Sequence, residues 1–181
     1  MEICPAELKA VRMLLDREAI RDVILRYTRG LDREDEELLR AAYQDDGHDD
    51  HGSFIGYARD FPARKSATRL RWETYQHYVT NQTIEIDGDT AHAETYFLGA
   101  LKRPDGALDL TGGRYVDRLE KRDECWAIAD RIVIVEWAGG FPPGGAATIP
   151  EGLFVKSARD RSDPSYQRPL RVTRPFRDLE A

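Results

Sequence analysis

Between residues 72 and 90 the chain reads WETYQHYVTNQTIEIDGDT, and there the spacing of its apolar residues changes from three or four to two. Upstream, Ile20, Val23, Ile24 and Tyr27 recur at helical intervals, which predicts a helix over 16–29 with one apolar stripe and arginines opposite. Downstream, alternation predicts strands over 77–87, 90–102, about 113–121 and 126–137. The runs DGDT at 87–90 and KRDE at 121–124 read as hairpin turns, and Pro104-Asp105-Gly106 as a further turn. Helices first and an antiparallel meander second imply an α+β fold, with the helices covering one face of a curved sheet.

Gly30 reads as the stop of the first helix, and LDREDEELLRAAY as a capped second helix through residue 43, its acidic residues at the positive end. Asp32 then falls at the joint between the two. The turn-rich DGHDDHGSFIG ends in a short strand at 53–55, and a third helix is expected over 61–75. Its Leu70 and Trp72 point inward, while Arg64, Lys65, Arg69 and Arg71 lie mostly outward. Residues 1–138 form one domain on this reading. Residues 139–181 open with GGFPPGGAATIPEG and cannot build a core of their own, so they are expected to act as a lid or an inter-subunit arm. Phe141, Ile149, Leu153, Phe154 and Val155 are the apolar residues by which the first part of that extension would dock.

A formal charge of −6, from 33 acidic and 27 basic residues spread along the chain, offers no basic stripe for a phosphate backbone, so nucleic acid is not an expected partner. No stretch approaches the roughly 18 apolar residues of a membrane span, and the N-terminus lacks a charged-then-apolar leader pattern, so no membrane partner is expected. Two cysteines, Cys4 and Cys125, are too few for a disulfide framework or zinc site, and the expected setting is cytoplasmic. The run HDDH at 48–51 gathers four metal-ligand types. In an extended chain, however, His48 and Asp50 point away from Asp49 and His51, so no metal site is expected. Neither a phosphate-binding glycine loop nor a nucleophile elbow is present.

Tyr27, Asp32, His77 and Arg131 carry the candidate chemistry. On the last strand Ala127, Ala129, Arg131, Val133, Val135 and Trp137 share a face, and two alanines beside an arginine read as a pocket wall. Buried there, Arg131 needs an anion: Asp32, Glu94 or a ligand, with a plain structural ion pair as the alternative. His77 is either a packed ring with a satisfied nitrogen or a base; a carboxylate able to orient it decides for the base. Phe54, Trp72, Tyr96, Phe97, Val135 and Trp137 are the candidate lining for a hydrophobic small-molecule ligand. His92, alternating with two alanines, reads as a surface or interface residue.

The runs EAIRDVILRYTRGLDREDEELLRAAYQDD, GSFIG, HYVTN, GDTAHAETYFL and GGRYVDRLEKRDECWAIADRIVIVEW, taken in order, resemble the SnoaL-like branch of the nuclear-transport-factor-2-like superfamily over about residues 8–138. The resemblance implies a cystatin-like, cone-shaped α+β barrel in which a bent, mostly antiparallel sheet wraps three N-terminal helices around an internal pocket. Its members include scytalone dehydratase, hexachlorocyclohexane dehydrochlorinase and bile-acid 7α-dehydratase, which eliminate HX without a cofactor by a His/Asp dyad. On that resemblance Asp32 in GLD and His77 in HYVTN fall on the dyad, Arg131 on a pocket arginine and Tyr27 on a catalytic tyrosine. No histidine follows His92, so the later-strand histidine of scytalone dehydratase has no counterpart here.

The implied activity is a cofactor-free dehydratase-like lyase acting on a hydrophobic cyclic compound. The superfamily also hosts isomerases, cyclases, binding modules and dioxygenase small subunits, which stand as alternatives. The same resemblance implies a homotrimer or homodimer; alternation puts Tyr115, Leu119, Ile128, Ile132 and Ile134 on one face of the sheet or the other as candidates for a covered apolar face, and parity alone does not say which.

Overall fold

The computed structural model describes residues 4–62, 71–144, 155, 158–167 and 174. Helix α1 (Pro5–Arg33) leads into a short helix α2 (Glu36–Arg40) and then into β1 (Tyr43–Asp50), β2 (Ile55–Tyr57), β3 (Thr74–Asp87), β4 (Thr90–Lys102), β5 (Leu108–Arg122) and β6 (Cys125–Phe141). The strands form one sheet in the order β2-β1-β6-β5-β4-β3. All neighbours are antiparallel except β1 and β6, which run parallel. The α+β architecture is therefore present, with a curved sheet that stays open because β2 and β3 do not pair.

Helix α1 starts at Pro5, well before the expected residue 16, because Cys4 caps it. The Cys4 sulfur accepts the Glu7 N–H at 3.4 Å, Glu7 Oε2 accepts the Cys4 N–H at 2.8 Å, and Pro5 occupies the first turn. This first half exposes Leu14 and Leu15, so no buried stripe announces it. Nor does Gly30 end the helix. Leu39 packs against it so closely that an added Cβ would lie 2.8 Å from Leu39 Cγ, and α1 continues to a left-handed cap at Glu34 with φ 52°. Asp32 consequently sits in the last turn of α1, not at a joint.

Asp35 then caps α2 by accepting the Leu38 N–H at 3.2 Å. The second helix stops at Arg40, and Tyr43, expected at its end, instead opens β1. That polar strand becomes a strand because β6 offers it a ladder, a tertiary effect that local propensity does not announce. Of the expected third helix, residues 63–70 lie outside the described residues, and Thr74 and Tyr75 already belong to β3.

Strands β5 and β6 are longer than their apolar alternation, because Gly139 and Gly140 pair with Leu110 and Asp109. The alternation on β6 also breaks. Asp130 faces Arg118 but Ile128 faces Leu119, and this bulge turns Trp126 and Ile128 inward on the side of Arg131. A second shift, at Gly112/Gly113, sets Trp137 opposite Gly112 and off the face that carries Val133 and Val135.

Ile20, Val23 and Ile24 of α1 pack with Ile84, Ala93 and Leu119 of the sheet in one buried cluster. Full burial of each of those three aliphatic side chains is worth roughly 1.5–3 kcal/mol. Of the five apolar residues whose face alternation left open, Tyr115, Leu119 and Ile128 face this interior, and Ile132 and Ile134 lie on the outer face. There Arg114 bridges Glu94 at 3.0 Å and Glu136 at 2.7 Å.

Residues 158–167 of the C-terminal extension lie on their own chain. Arg33 donates to the Ala158 carbonyl at 2.9 Å and pairs with Asp163 at 3.0 Å; Arg159 donates to the Trp72 carbonyl at 2.8 Å and pairs with Glu34. The Tyr166 hydroxyl donates to Asp35 at 2.7 Å. This strap therefore ties the α1–α2 corner to the entrance of β3. Phe141 closes β6, and Val155 is exposed; Ile149, Leu153 and Phe154 lie outside the described residues. Among the described residues no helix is long and apolar enough to cross a membrane.

Candidate active site

The end of α1 brings Asp32 against the start of β3, where its carboxylate meets His77 twice. Oδ1 lies 2.6 Å from His77 Nδ1, and Oδ2 accepts the His77 backbone N–H at 3.0 Å. A carboxylate at Nδ1 keeps the proton there, which leaves Nε2 as the free basic nitrogen. Two anchor points fix the ring's position as well as its tautomer, and only 13% of the His77 side chain and 16% of that of Asp32 remain exposed.

His77 stands between two cavities. One, of about 440 Å³, opens on the concave side of the sheet and is lined by His51, Trp72, Phe97, Val133 and Val135, among others. The second, of about 380 Å³, lies outside the dyad between Asp32, Arg29, Gln76 and the strap residues Asp163 and Ser165. The first has the size and mixed character of a small-molecule site. Its rim is held by Asp109, which takes a bidentate pair from Arg103 at 2.7 and 2.8 Å and a hydrogen bond from Trp72 Nε1 at 2.9 Å. Arg103 and Trp72 thereby pull the Asp109 carboxyl below the ordinary carboxylate range.

Of the residues expected to line the pocket, Trp72, Phe97 and Val135 do so. Three do not. Phe54 packs on Phe61 with ring centroids 5.5 Å apart and is not among the lining residues. Tyr96 points to the outer face under Arg114, because its neighbour Phe97 takes the inward position. Trp137 is displaced by the bulge onto Gly112 and is half exposed.

Arg131 is buried to 1% exposure, and its partner is neither Asp32 nor Glu94 but Asp117, directly opposite on β5, with Nε and Nη2 at 2.6 and 2.7 Å from the carboxylate. The guanidinium carbon lies 4.0 Å from the Tyr27 ring centroid and 4.3 Å from that of Tyr115. Burial works against its charge, but Asp117 and the tyrosines outweigh it and hold Arg131 well above its ordinary value. It forms a layer behind the cavity wall and does not line the cavity.

Tyr27 belongs to the same hidden layer. It is fully buried, and its hydroxyl meets His51 Nδ1 at 3.4 Å. Burial, reinforced by Asp49, raises its pKa well above 10, so the hydroxyl stays protonated. Tyr43, likewise raised by burial, donates to Asp49 Oδ2 at 2.8 Å.

Among the cavity residues that the sequence reading did not name in this role are Tyr115 and His51. Tyr115, whose face alternation left open, lines the cavity with its ring stacked on Phe97 at 4.4 Å. His51, weighed only as a metal ligand, lines it too, and the period-two placement of Asp49 and His51 on one side was the available signal. His48 lies on the other side, 3.6 Å from Asp130. Among the described residues no group of three or more His, Cys, Asp or Glu is placed to hold a metal ion.

Comparison with known proteins places the fold. The SnoaL-like domain matches residues 12–132. No curated protein matches the chain in sequence. Among solved structures, the hexachlorocyclohexane dehydrochlorinase LinA type 3 of Novosphingobium barchaimii superposes with a TM-score of 0.68 at 21% identity, over 78% of this chain and 99% of its own. A scytalone dehydratase-like protein of Novosphingobium aromaticivorans superposes at 0.62 with 20% identity, over 75% and 97%. A protein of Nostoc punctiforme with a cystatin-like fold superposes at 0.58 with 21% identity, over 75% and 96%. These likenesses establish a shared cystatin-like fold, and the domain match spans most of the chain: the protein belongs to the SnoaL-like family.

Proposed function

We propose that the protein is a cofactor-independent lyase that eliminates water, or another HX, from a hydrophobic cyclic small molecule. The observation that carries the reading is the double grip of Asp32 on His77, a residue of the wall of the 440 Å³ cavity; with Nδ1 taken, Nε2 is the nitrogen left for substrate. Nε2 takes a proton from a carbon acidified by a neighbouring carbonyl; the C–H electrons form the new double bond, and the bond to the leaving group breaks. Asp32 offsets the charge of the imidazolium as it forms. Phe97, Trp72 and Val135 give the cavity the apolar wall that a ring substrate needs. Tyr27 and Arg131 act from behind that wall and shape the field within it.

The test uses 3-hydroxycyclohexanone and larger cyclic β-hydroxy ketones, with enone formation followed by ultraviolet absorbance and deuterium incorporation into the parent ketones followed by NMR. Wild type is expected to catalyse both and His77→Ala neither. Full turnover by His77→Ala would sink the proposal.

A further inference from the structure

We infer that His51 is the acid that protonates the leaving oxygen, from a second His/Asp pair facing the cavity that His77 faces. The inference rests on the elimination reading and supplies what that reading lacks: hydroxide is a poor leaving group, and His77 is engaged in removing the proton from carbon.

The geometry singles out His51. It follows the end of β1 and lines the 440 Å³ cavity, its side chain 28% exposed and its ring 4.7 Å from that of Phe61. Nδ1 faces away from substrate, 3.4 Å from the Tyr27 hydroxyl and 3.6 Å from Asp49 Oδ1. Nε2 has no hydrogen-bond partner among the described residues and is free for a substrate oxygen. Both Nδ1 distances exceed a tight hydrogen bond, as acid–base contacts commonly do before substrate binds.

Behind His51 the charges are unbalanced in the sense an acid requires. The buried layer holds two carboxyl groups, Asp49 and Asp117, against one guanidinium, Arg131, and Asp117 takes Arg131 in a bidentate pair. Asp49 is Arg131's neighbour across the parallel β1/β6 ladder, yet its Oδ1 and the Arg131 Nη1 are both buried without a hydrogen-bond partner. An Nδ1–H on His51 lies 3.6 Å from that orphan oxygen, and an imidazolium there faces the Asp49 carboxylate. Tyr27 and Asp49 are therefore positioning residues for His51. When Nε2–H passes its proton to the departing oxygen, water leaves and His51 becomes neutral, keeping its Nδ1–H toward Asp49 Oδ1 and the Tyr27 hydroxyl oxygen.

The experiment compares leaving groups. Wild type, His51→Gln, Tyr27→Phe and His77→Ala are each assayed on 3-hydroxycyclohexanone, whose hydroxide must be protonated, and on its 4-nitrophenyl ether, whose phenolate leaves unaided. Deuterium exchange into cyclohexanone reports the base alone. His51→Gln is expected to lower the ratio of hydroxide to phenolate elimination by about 100-fold or more, the range of general-acid catalysis. Tyr27→Phe should lower the ratio less, and His77→Ala should abolish both eliminations and the exchange. An unchanged ratio in His51→Gln, whether both rates fall together or neither falls, overturns the assignment while leaving the role of His77 intact. Absence of exchange and of both eliminations in wild type overturns the elimination reading, and the acid role with it.

Discussion

Asp32 holds His77 at two atoms, the ring Nδ1 at 2.6 Å and the backbone N–H at 3.0 Å. An asparagine there still accepts the backbone N–H, but its NH₂ group then faces Nδ1 and stabilises the tautomer that carries its proton on Nε2. Asp32→Asn is thus expected to keep the fold and lose roughly 10²–10⁴ in turnover, as expected when a base is held in the wrong tautomer. Imidazole ¹⁵N shifts will show the change. An Asn variant with wild-type rate and an Nδ1–H ring would contradict the dyad.

Arg131 and Asp117 are both wholly buried, so removing one strands the other. Arg131→Met should cost about 3–5 kcal/mol in urea unfolding. Arg131→Met/Asp117→Leu should recover much of that loss, since no charge is left unpaired. A double variant that recovers none of the loss would mean that the cation's stacking between Tyr27 and Tyr115, rather than its pairing, dominates.

At Gly30, α1 runs close against Leu39 of α2. Alanine is a better helix former by about 1 kcal/mol, yet Gly30→Ala should destabilise by roughly 1–3 kcal/mol because its methyl meets Leu39. Combined with Leu39→Ala, the two losses should sum to less than their separate values, measured as a double-mutant cycle.

The strap carries a pH signature. Burial alone raises the Asp163 carboxyl, but hydrogen bonds from the Ser165 hydroxyl and the Ala158 and Ser165 N–H groups, with Arg33 beside it, bring it down to about 2 from the ordinary 3.8. A lowered folded pKa means that the stabilisation is complete above the unfolded value and lost as pH falls toward the folded one. After correction for intrinsic exchange rates, protection of the Ala158 and Ser165 amides should hold from pH 8 to 5 and decline between about 4 and 2. Asp163→Asn should remove that dependence.

Much of this was legible in the chain itself. The change of period near residue 77 fixed the α+β order because apolar burial obeys 3.6 on a helix and 2 on a strand. The hairpin at 87–90 and the inward-facing Ile20, Val23, Ile24 and Tyr27 followed from the same rule. Family resemblance brought Asp32 and His77 forward as a pair; periodicity did not, since 45 residues separate them.

What only the tertiary structure decided depends on neighbours. The polar β1 needed β6 beside it, Gly30 needed Leu39 across from it, and two register shifts on β6 sent Trp126 and Ile128 inward and Trp137 out. The partner of Arg131 was settled by the register that sets Asp117 opposite it on β5, and the place of His51 by a strand the local sequence does not declare. Sequence periodicity reports which residues must leave water; which side chains then meet is fixed by strand register and helix packing, where one extra residue reverses a face.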